Sequence, residues 1–192
     1  SSTSRGLGDV YKRQGMARFV VLGAGDQQFQ ESLKIVSSQY PEAIDVVIGF
    51  DEVLAHLIQA AADILLMPSQ YEPCGLAQLY AFRYGTIPIV RATGGLVDTV
   101  VNVSDQTCAD GTASGFVFDA FEPAALEAAV RRAIDAHGNT KLWQDLIRGV
   151  MQQDWSWDVS ARKYQEVFSQ ARANAPVDAV SYTHLTLPTK RI

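Results

Sequence analysis

Short apolar runs alternate with longer amphipathic segments along most of the chain, and this alternation constrains the fold more than any other feature. The strand-sized runs are Arg18–Leu22, Ile44–Ile48, Asp63–Met67, Ile87–Val90 and Gly115–Phe118. The segments between them carry apolar residues at helical spacing. Strands that alternate with helices through short connections are parallel and are joined by right-handed crossovers. We therefore predict an α/β fold with a Rossmann-like, doubly wound parallel sheet.

Polar and glycine-rich signals mark where the helices begin and end. Asp26 and Asp51 each precede an amphipathic segment and are predicted N-caps, and Pro123 suits the first turn of a later helix. Further helices are predicted at about Gly75–Tyr84, Thr140–Met151 and Ser156–Ala171. The polar stretch Ser104–Ser114 is predicted to be a surface loop.

Composition limits the kinds of partner that the chain can have. Its 192 residues carry a formal net charge of −5, which argues against a surface for nucleic acid or anionic membranes. No apolar run approaches the length of a membrane span. Cys74 and Cys108 lie far apart without metal-ligand spacing. We therefore expect a reduced, cytoplasmic protein without a bound metal.

The two ends lack the pattern of the rest of the chain. Residues 1–14 and the last stretch resemble translated adapter sequence. We expect residues 1–14 to be a non-native tail and residues 173–192 to be a non-native or disordered tail. Residues 15–172 are then expected to form one domain.

The segment Met67–Val100 carries most of the candidate chemistry, because ligands of open α/β sheets bind outside the carboxyl ends of the strands. After Pro73, Cys74 and Gly75 are predicted to open a helix whose free N–H groups can hold a diphosphate or sugar hydroxyls. Glu72, at the lip of the same cleft, can accept hydrogen bonds from a sugar or stabilise positive charge developing on its ring. Thr93–Gly95 is a second turn where backbone can approach a ligand closely.

Each of these signals also has a structural interpretation. Gly23–Asp26 lacks the third glycine of a dinucleotide-binding fingerprint, so a plain strand-to-helix turn is as well supported as ligand contact. Glu72 alone would be an ordinary surface carboxylate. Cys74 has no histidine close in sequence to act as a base, which favours a packing or backbone role. Phe50, which follows the predicted strand Ile44–Ile48, fits a core position as well as a position in the cleft.

The string MPSQYEPCGLAQLYAFRYGTIPIVRATGGLVDTV, from Met67 to Val100, resembles the glycogen/starch synthase family. These enzymes are retaining glucosyltransferases of the GT-B fold, which transfer glucose from ADP-glucose to the non-reducing end of a (1→4)-α-D-glucan. The likeness extends over about residues 16–172, through VLGAGD, IGFDE, SGFVFD and QDWSW. It implies the C-terminal, nucleotide-sugar-binding half of a GT-B enzyme.

The resemblance assigns roles to individual positions. Glu72 matches the active-site glutamate, which contacts the donor glucose. Phe50 stands where the family stacks a tyrosine on adenine, and phenylalanine keeps the π-face. The remaining positions that the resemblance places around the donor are Cys74, Gly75, Leu76, Thr93, Gly94, Gly95, Gly23, Gly25 and Asp26. ADP-glucose is the implied donor substrate, and no cofactor or metal is implied.

The resemblance also implies what the chain does not supply. In the family, an arginine and a lysine just upstream of VLGAGD bind the donor diphosphate, and an N-terminal domain provides an aspartate and a histidine at the reacting centre. We therefore expect this fragment to be inactive alone and to meet the α-glucan through the missing N-terminal domain. Two alternatives stay open, a related GT-B transferase using a UDP- or GDP-sugar and a non-catalytic sugar-nucleotide-binding module.

Overall fold

The computed structural model describes residues 17–174, which divide into two compact units at Gln153. The predicted tail at residues 1–14 lies outside the described residues, and so does the second predicted tail, residues 173–192, from residue 175 on. The prediction that residues 15–172 form one domain stays a prediction.

The first unit alternates strands and helices along the chain. In chain order its elements are β1 (Phe19–Gly23), α1 (Gln27–Gln39), β2 (Ile44–Ile48), α2 (Glu52–Ala61), β3 (Ile64–Met67), α3 (Ala77–Tyr84), β4 (Ile87–Arg91), α4 (Leu96–Thr99), α5 (Asp105–Ala109), β5 (Phe116–Phe118), α6 (Pro123–His137) and α7 (Thr140–Gln152).

The strands are parallel, as the alternation predicts. Among residues 17–174 they lie in two sheets, one of β1 and β2 and one in the order β3-β4-β5. β1 pairs with β2 from Phe19↔Ile44 to Gly23↔Ile48. β3 pairs with β4 from Ile64↔Ile87 to Met67↔Val90. The α/β class with parallel strands is therefore confirmed, and the hydrogen bonding is divided between two sheets where one was expected.

The hydrophobic core lies in the half of the unit built around β4. Ile87, Ile89 and Val90 of this strand are each at most 1% exposed, and α3, α6 and α7 all pack against it. In the other half, the residues of β1, α1, β2 and α2 are at most partly buried. Trp143 of α7 is buried in the same core.

Three predicted helix starts are confirmed. The Asp26 carboxylate accepts the Gln28 backbone N–H at 2.7 Å, and the Asp51 carboxylate accepts that of Leu54 at 2.9 Å. Pro123 occupies the first turn of α6, where its lack of an N–H costs no hydrogen bond.

Two local predictions are wrong. Ser104–Ser114 is not simply a loop, because Ser104 and Thr107 cap each other reciprocally and start the short helix α5. α3 begins at Ala77 and not at Gly75, because Gly75 has a left-handed φ of 69° that cannot belong to a right-handed helix.

The second unit contains α8 (Trp157–Ala173). It begins in a turn where the Asp154 carboxylate accepts the Ser156 N–H at 2.9 Å. Hydrogen bonds from Ser156 hold the pKa of Asp154 below its usual value. Within residues 17–174, no helix is long and apolar enough to cross a membrane.

Candidate functional site

The two loops predicted to form the site lie against each other. One follows β3 and contains Glu72, and the other follows β4 and contains Thr93–Gly95. Because β3 and β4 are paired in parallel, their carboxyl ends lie side by side. The backbone N–H of Gly95 donates to the carbonyl oxygen of Glu72 at 3.0 Å. The structure therefore brings both loops together at one edge of the sheet.

This close approach requires glycine at two successive positions. Gly94 has a φ of 50°, and a Cβ at this position would overlap the carbonyl oxygen of Glu72. Gly95 has ordinary helical dihedrals, but its Cβ would overlap the carbonyl oxygen of Cys74. Any side chain on these two residues would therefore push the loops apart.

The start of α3 has no side-chain cap, and the residue before it is exposed at the same edge. Leu76, which precedes the helix, is 60% exposed and provides no side-chain cap. By contrast, α1 and α2 are capped by the carboxylates of Asp26 and Asp51. The first turn of a helix has N–H groups without intrahelical partners and carries the positive end of the helix dipole. This end of α3 therefore has the geometry and the charge to hold an anionic group.

Glu72 lies partly exposed at this edge. The Ser69 hydroxyl donates to its carboxylate at a long 3.4 Å, so most of the carboxylate's hydrogen-bonding capacity is unused by this contact. Cys74 is an exposed free thiol beside it in the chain.

Arg91 fixes the loop that leads to Glu72, and sequence reasoning missed this residue. Its Nε donates to the Ser69 carbonyl oxygen at 3.0 Å and its Nη2 to that of Gln70 at 2.5 Å. Its guanidinium also lies 5.3 Å from the centroid of the Phe121 ring. An arginine at the last position of an otherwise apolar strand was the available signal.

Phe50 is not a core residue, because 92% of its surface is exposed. It lines a groove of about 310 Å³ between α2 and α3, together with Ala77 and Tyr80. His56 borders the same groove, and its Nδ1 lies 3.2 Å from the Tyr84 hydroxyl, within hydrogen-bond distance. Since Ala77 is the first residue of α3, the groove adjoins the open start of that helix.

The loop after β1 is anchored mainly by contacts within its own half of the unit. The Gly49 N–H donates to the Gly23 carbonyl oxygen at 3.1 Å, and the Gln30 side chain donates to that of Gly25 at 2.7 Å. The Asp26 carboxylate caps α1. These contacts support the interpretation as a strand-to-helix turn, and a donor contact by Gly23, Gly25 or Asp26 stays a prediction.

The described residues contain no group of three or more His, Cys, Asp or Glu side chains that could hold a metal ion.

A family model described as glycosyl transferases group 1 matches residues 8–148, well over half of the chain. The chain belongs to the group 1 glycosyltransferases.

Curated relatives of this glycosyltransferase are considerably longer than the chain. It is 47% identical over 153 residues to the glycogen synthase of Nitrosomonas eutropha, and the matched region covers 80% of the chain and 30% of that protein. It is 42% identical over 174 residues to glycogen synthase 2 of Agrobacterium fabrum, covering 90% of the chain and 34% of that protein. The chain thus spans about a third of the length of the curated relatives it matches.

Solved structures support the fold assignment. The catalytic domain of starch synthase IV from Arabidopsis thaliana, bound to ADP and acarbose, matches 89% of this chain and 43% of its own, with a TM-score of 0.69 and 26% identity. Sucrose-phosphate synthase from Thermosynechococcus elongatus matches with a TM-score of 0.57 at 21% identity, which bears on the fold alone. This glycosyltransferase therefore has the Rossmann-like half of a GT-B fold.

Proposed function

We propose that this chain is the donor-binding half of a glycogen/starch-synthase-type enzyme, which transfers glucose from ADP-glucose to the non-reducing end of a (1→4)-α-D-glucan with retention of configuration. The likeness to curated glycogen synthases and to a starch synthase bound to ADP and acarbose supports this reaction. The observation that carries it is the hydrogen bond between Gly95 and the Glu72 carbonyl, which joins the Glu72 loop to the Thr93–Gly95 loop beside an uncapped helix start.

In this proposal the donor diphosphate binds at the start of α3. Cys74, Gly75 and Leu76 lead into this helix, and its unpaired N–H groups would bind the phosphate oxygens. This arrangement suits a chain with a net charge of −5, because backbone N–H groups supply part of the binding of the diphosphate. Thr93, Gly94 and Gly95 would close the other side of the donor.

The donor glucose would then lie against Glu72. A partly exposed carboxylate would accept hydrogen bonds from the sugar hydroxyls. It would also stabilise the positive charge that develops on the sugar ring as the bond to the diphosphate breaks. Glu72 is therefore the proposed catalytic residue of this half.

The adenine would occupy the groove beside Phe50. The exposed ring offers a face on which the base can stack. Gly23, Gly25 and Asp26, at the carboxyl end of the neighbouring strand, would border the nucleotide.

The acceptor glucan is assigned to the rest of the full-length enzyme, since the chain spans only about a third of its curated relatives. Residues 15–172 are the proposed donor-binding domain, acting in the cytoplasm. We expect this domain alone to transfer no glucose from ADP-glucose to glycogen.

Calorimetric titration of the chain with ADP-glucose, UDP-glucose and GDP-glucose tests the proposal. Only ADP-glucose is expected to give a measurable heat, and Glu72→Gln, which keeps the shape of the side chain and removes its charge, should weaken it. Preferential binding of UDP- or GDP-glucose would contradict the proposed donor. The absence of heat with all three would contradict a donor-binding role.

A further inference from the structure

Gln78 of α3 is a polar side chain in a fully buried position. Its relative exposure is 0%, and it is buried together with Ala81 and Phe82 of the same helix. Its Nε2 donates to the Gly75 carbonyl oxygen at 3.0 Å and to the Thr99 hydroxyl at 3.1 Å. Gly75 belongs to the loop that contains Glu72, and Thr99 is the last residue of α4, which directly follows the Thr93–Gly95 loop.

The orientation of the Gln78 amide is fixed by Thr99. The Thr99 hydroxyl donates its only hydrogen to the Gly95 carbonyl oxygen at 2.9 Å. Toward Gln78 it can therefore only accept, which requires the NH₂ group of the amide at that place. The reversed amide would also set two oxygens against each other at Gly75.

Gly75 is matched to Gln78 sterically as well as by the hydrogen bond. A Cβ on Gly75 would lie 2.5 Å from Gln78 Oε1 and 2.6 Å from Nε2. The φ of 69° at Gly75 independently favours glycine. The absence of a side chain at Gly75 thus makes the room that the Gln78 amide occupies.

Together with the backbone, these contacts form a closed ring of hydrogen bonds that joins the two loops of the candidate site. One side of the ring runs from Gly75 through the Gln78 amide and Thr99 to Gly95. The other side is the hydrogen bond from the Gly95 N–H to the Glu72 carbonyl. Gln78 therefore links the two loops at a second point, in addition to the hydrogen bond between Gly95 and Glu72.

Stability alone does not explain a glutamine at this position. Gln78 Oε1 is buried and has no hydrogen-bond partner among the described residues. A buried polar atom without a partner lowers stability, and an apolar side chain of the same shape would avoid this cost.

We propose that Gln78 is a positioning residue, which sets the geometry between the Gly75 and Gly95 loops so that both can hold the same sugar nucleotide. The ligand in this statement rests on the proposed function, whereas the coupling of the two loops rests on the hydrogen bonds alone.

Amide hydrogen exchange without ligand tests the coupling in the variants Gln78→Met and Thr99→Val, which keep shape and lose a hydrogen bond. The Gly95 N–H is the reporter, and the Val103 N–H, which donates to the Gly115 carbonyl at 2.8 Å outside the ring, is the matched control. Exchange at Gly95 should rise about tenfold while that at Val103 stays unchanged. Thr99→Ser, which keeps the hydroxyl, should behave as the wild type. An equal rise at both amides, or no rise at Gly95, would overturn the proposal.

Calorimetry with ADP-glucose then tests positioning of the ligand. We expect Gln78→Met and Thr99→Val to weaken binding about tenfold, and Thr99→Ser to bind as the wild type does. Unchanged affinity in Gln78→Met, with the wild type binding, would overturn the positioning role. If the wild type does not bind and Gly95 exchange still responds as expected, the proposed donor function fails and the loop coupling is supported.

Discussion

The substitution Gly94→Ala tests the contact between the two loops most severely. It adds a Cβ at a φ of 50°, where that atom would overlap the carbonyl oxygen of Glu72. The left-handed backbone costs alanine about 1 kcal/mol. Displacing the Glu72 peptide adds about 1–3 kcal/mol, the usual cost of forcing an extra methyl group into a packed site. We therefore expect a loss of about 2–4 kcal/mol, or a fall in Tm of roughly 5–15 °C for a chain of this size.

Two matched variants separate the terms of this estimate. Gly111→Ala meets the same backbone cost, because Gly111 has a φ of 73° with no atom within 4 Å of its Cβ position, and should lose only about 1 kcal/mol. Gly95→Ala meets the opposite case, since its backbone is ordinary and its Cβ would overlap the Cys74 carbonyl oxygen. It should lose about 1–3 kcal/mol.

Urea unfolding followed by circular dichroism gives the three free energies, and calorimetry gives the affinity for ADP-glucose. Gly94→Ala should be the least stable of the three and should bind the donor most weakly. Gly111→Ala should bind as the wild type does. If Gly94→Ala is destabilised no more than Gly111→Ala, the close approach of the loops to each other is wrong.

Three further substitutions have smaller or more local effects. Arg91→Met removes the hydrogen bonds to the Ser69 and Gln70 carbonyls and should destabilise the chain by about 1.5–3 kcal/mol in urea unfolding, with partial recovery in Arg91→Lys. Phe50→Ala should weaken ADP-glucose binding about tenfold or more in calorimetry, because stacking on an aromatic ring contributes about 1–3 kcal/mol per base. Phe29→Ala, at another exposed phenylalanine, should bind normally, and equal losses in both would refute the stacking role. Gly149→Ala, inside α7, should raise stability by about 0.5–1 kcal/mol in thermal unfolding, since its Cβ meets only the Ala113 carbonyl oxygen at 4.0 Å; a lower Tm would show that the helix is tighter there.

The parallel α/β fold was predictable because its signals are local. The apolar runs indicate the strands, and Asp26 and Asp51 indicate the starts of the helices that they cap. The division into two sheets was not predictable in this way, because the same apolar pattern fits a strand with one neighbour or with two.

The details of the site depend on contacts between distant residues. Gln78 and Thr99 are 21 positions apart in the chain, so the hydrogen bond between them is visible only in the folded structure. The start of α3 was misplaced by two residues because Gly75 fits both the end of a loop and a first helical turn, and its left-handed φ decides between them. The sequence fits Phe50 to the core and to the cleft equally well, and its exposure in the structure excludes the core.

The direct test of the account is a titration of the isotope-labelled chain with ADP-glucose, observed through its backbone amide resonances. The largest shifts are expected at Gly75–Ala77 and at Gly94–Leu96, with a second set around Phe50. When ADP replaces ADP-glucose, the shifts of the residues next to Glu72 should be smaller. Shifts confined to other surfaces, or no shifts at millimolar ADP-glucose, would contradict the claim that these two loops form a donor site.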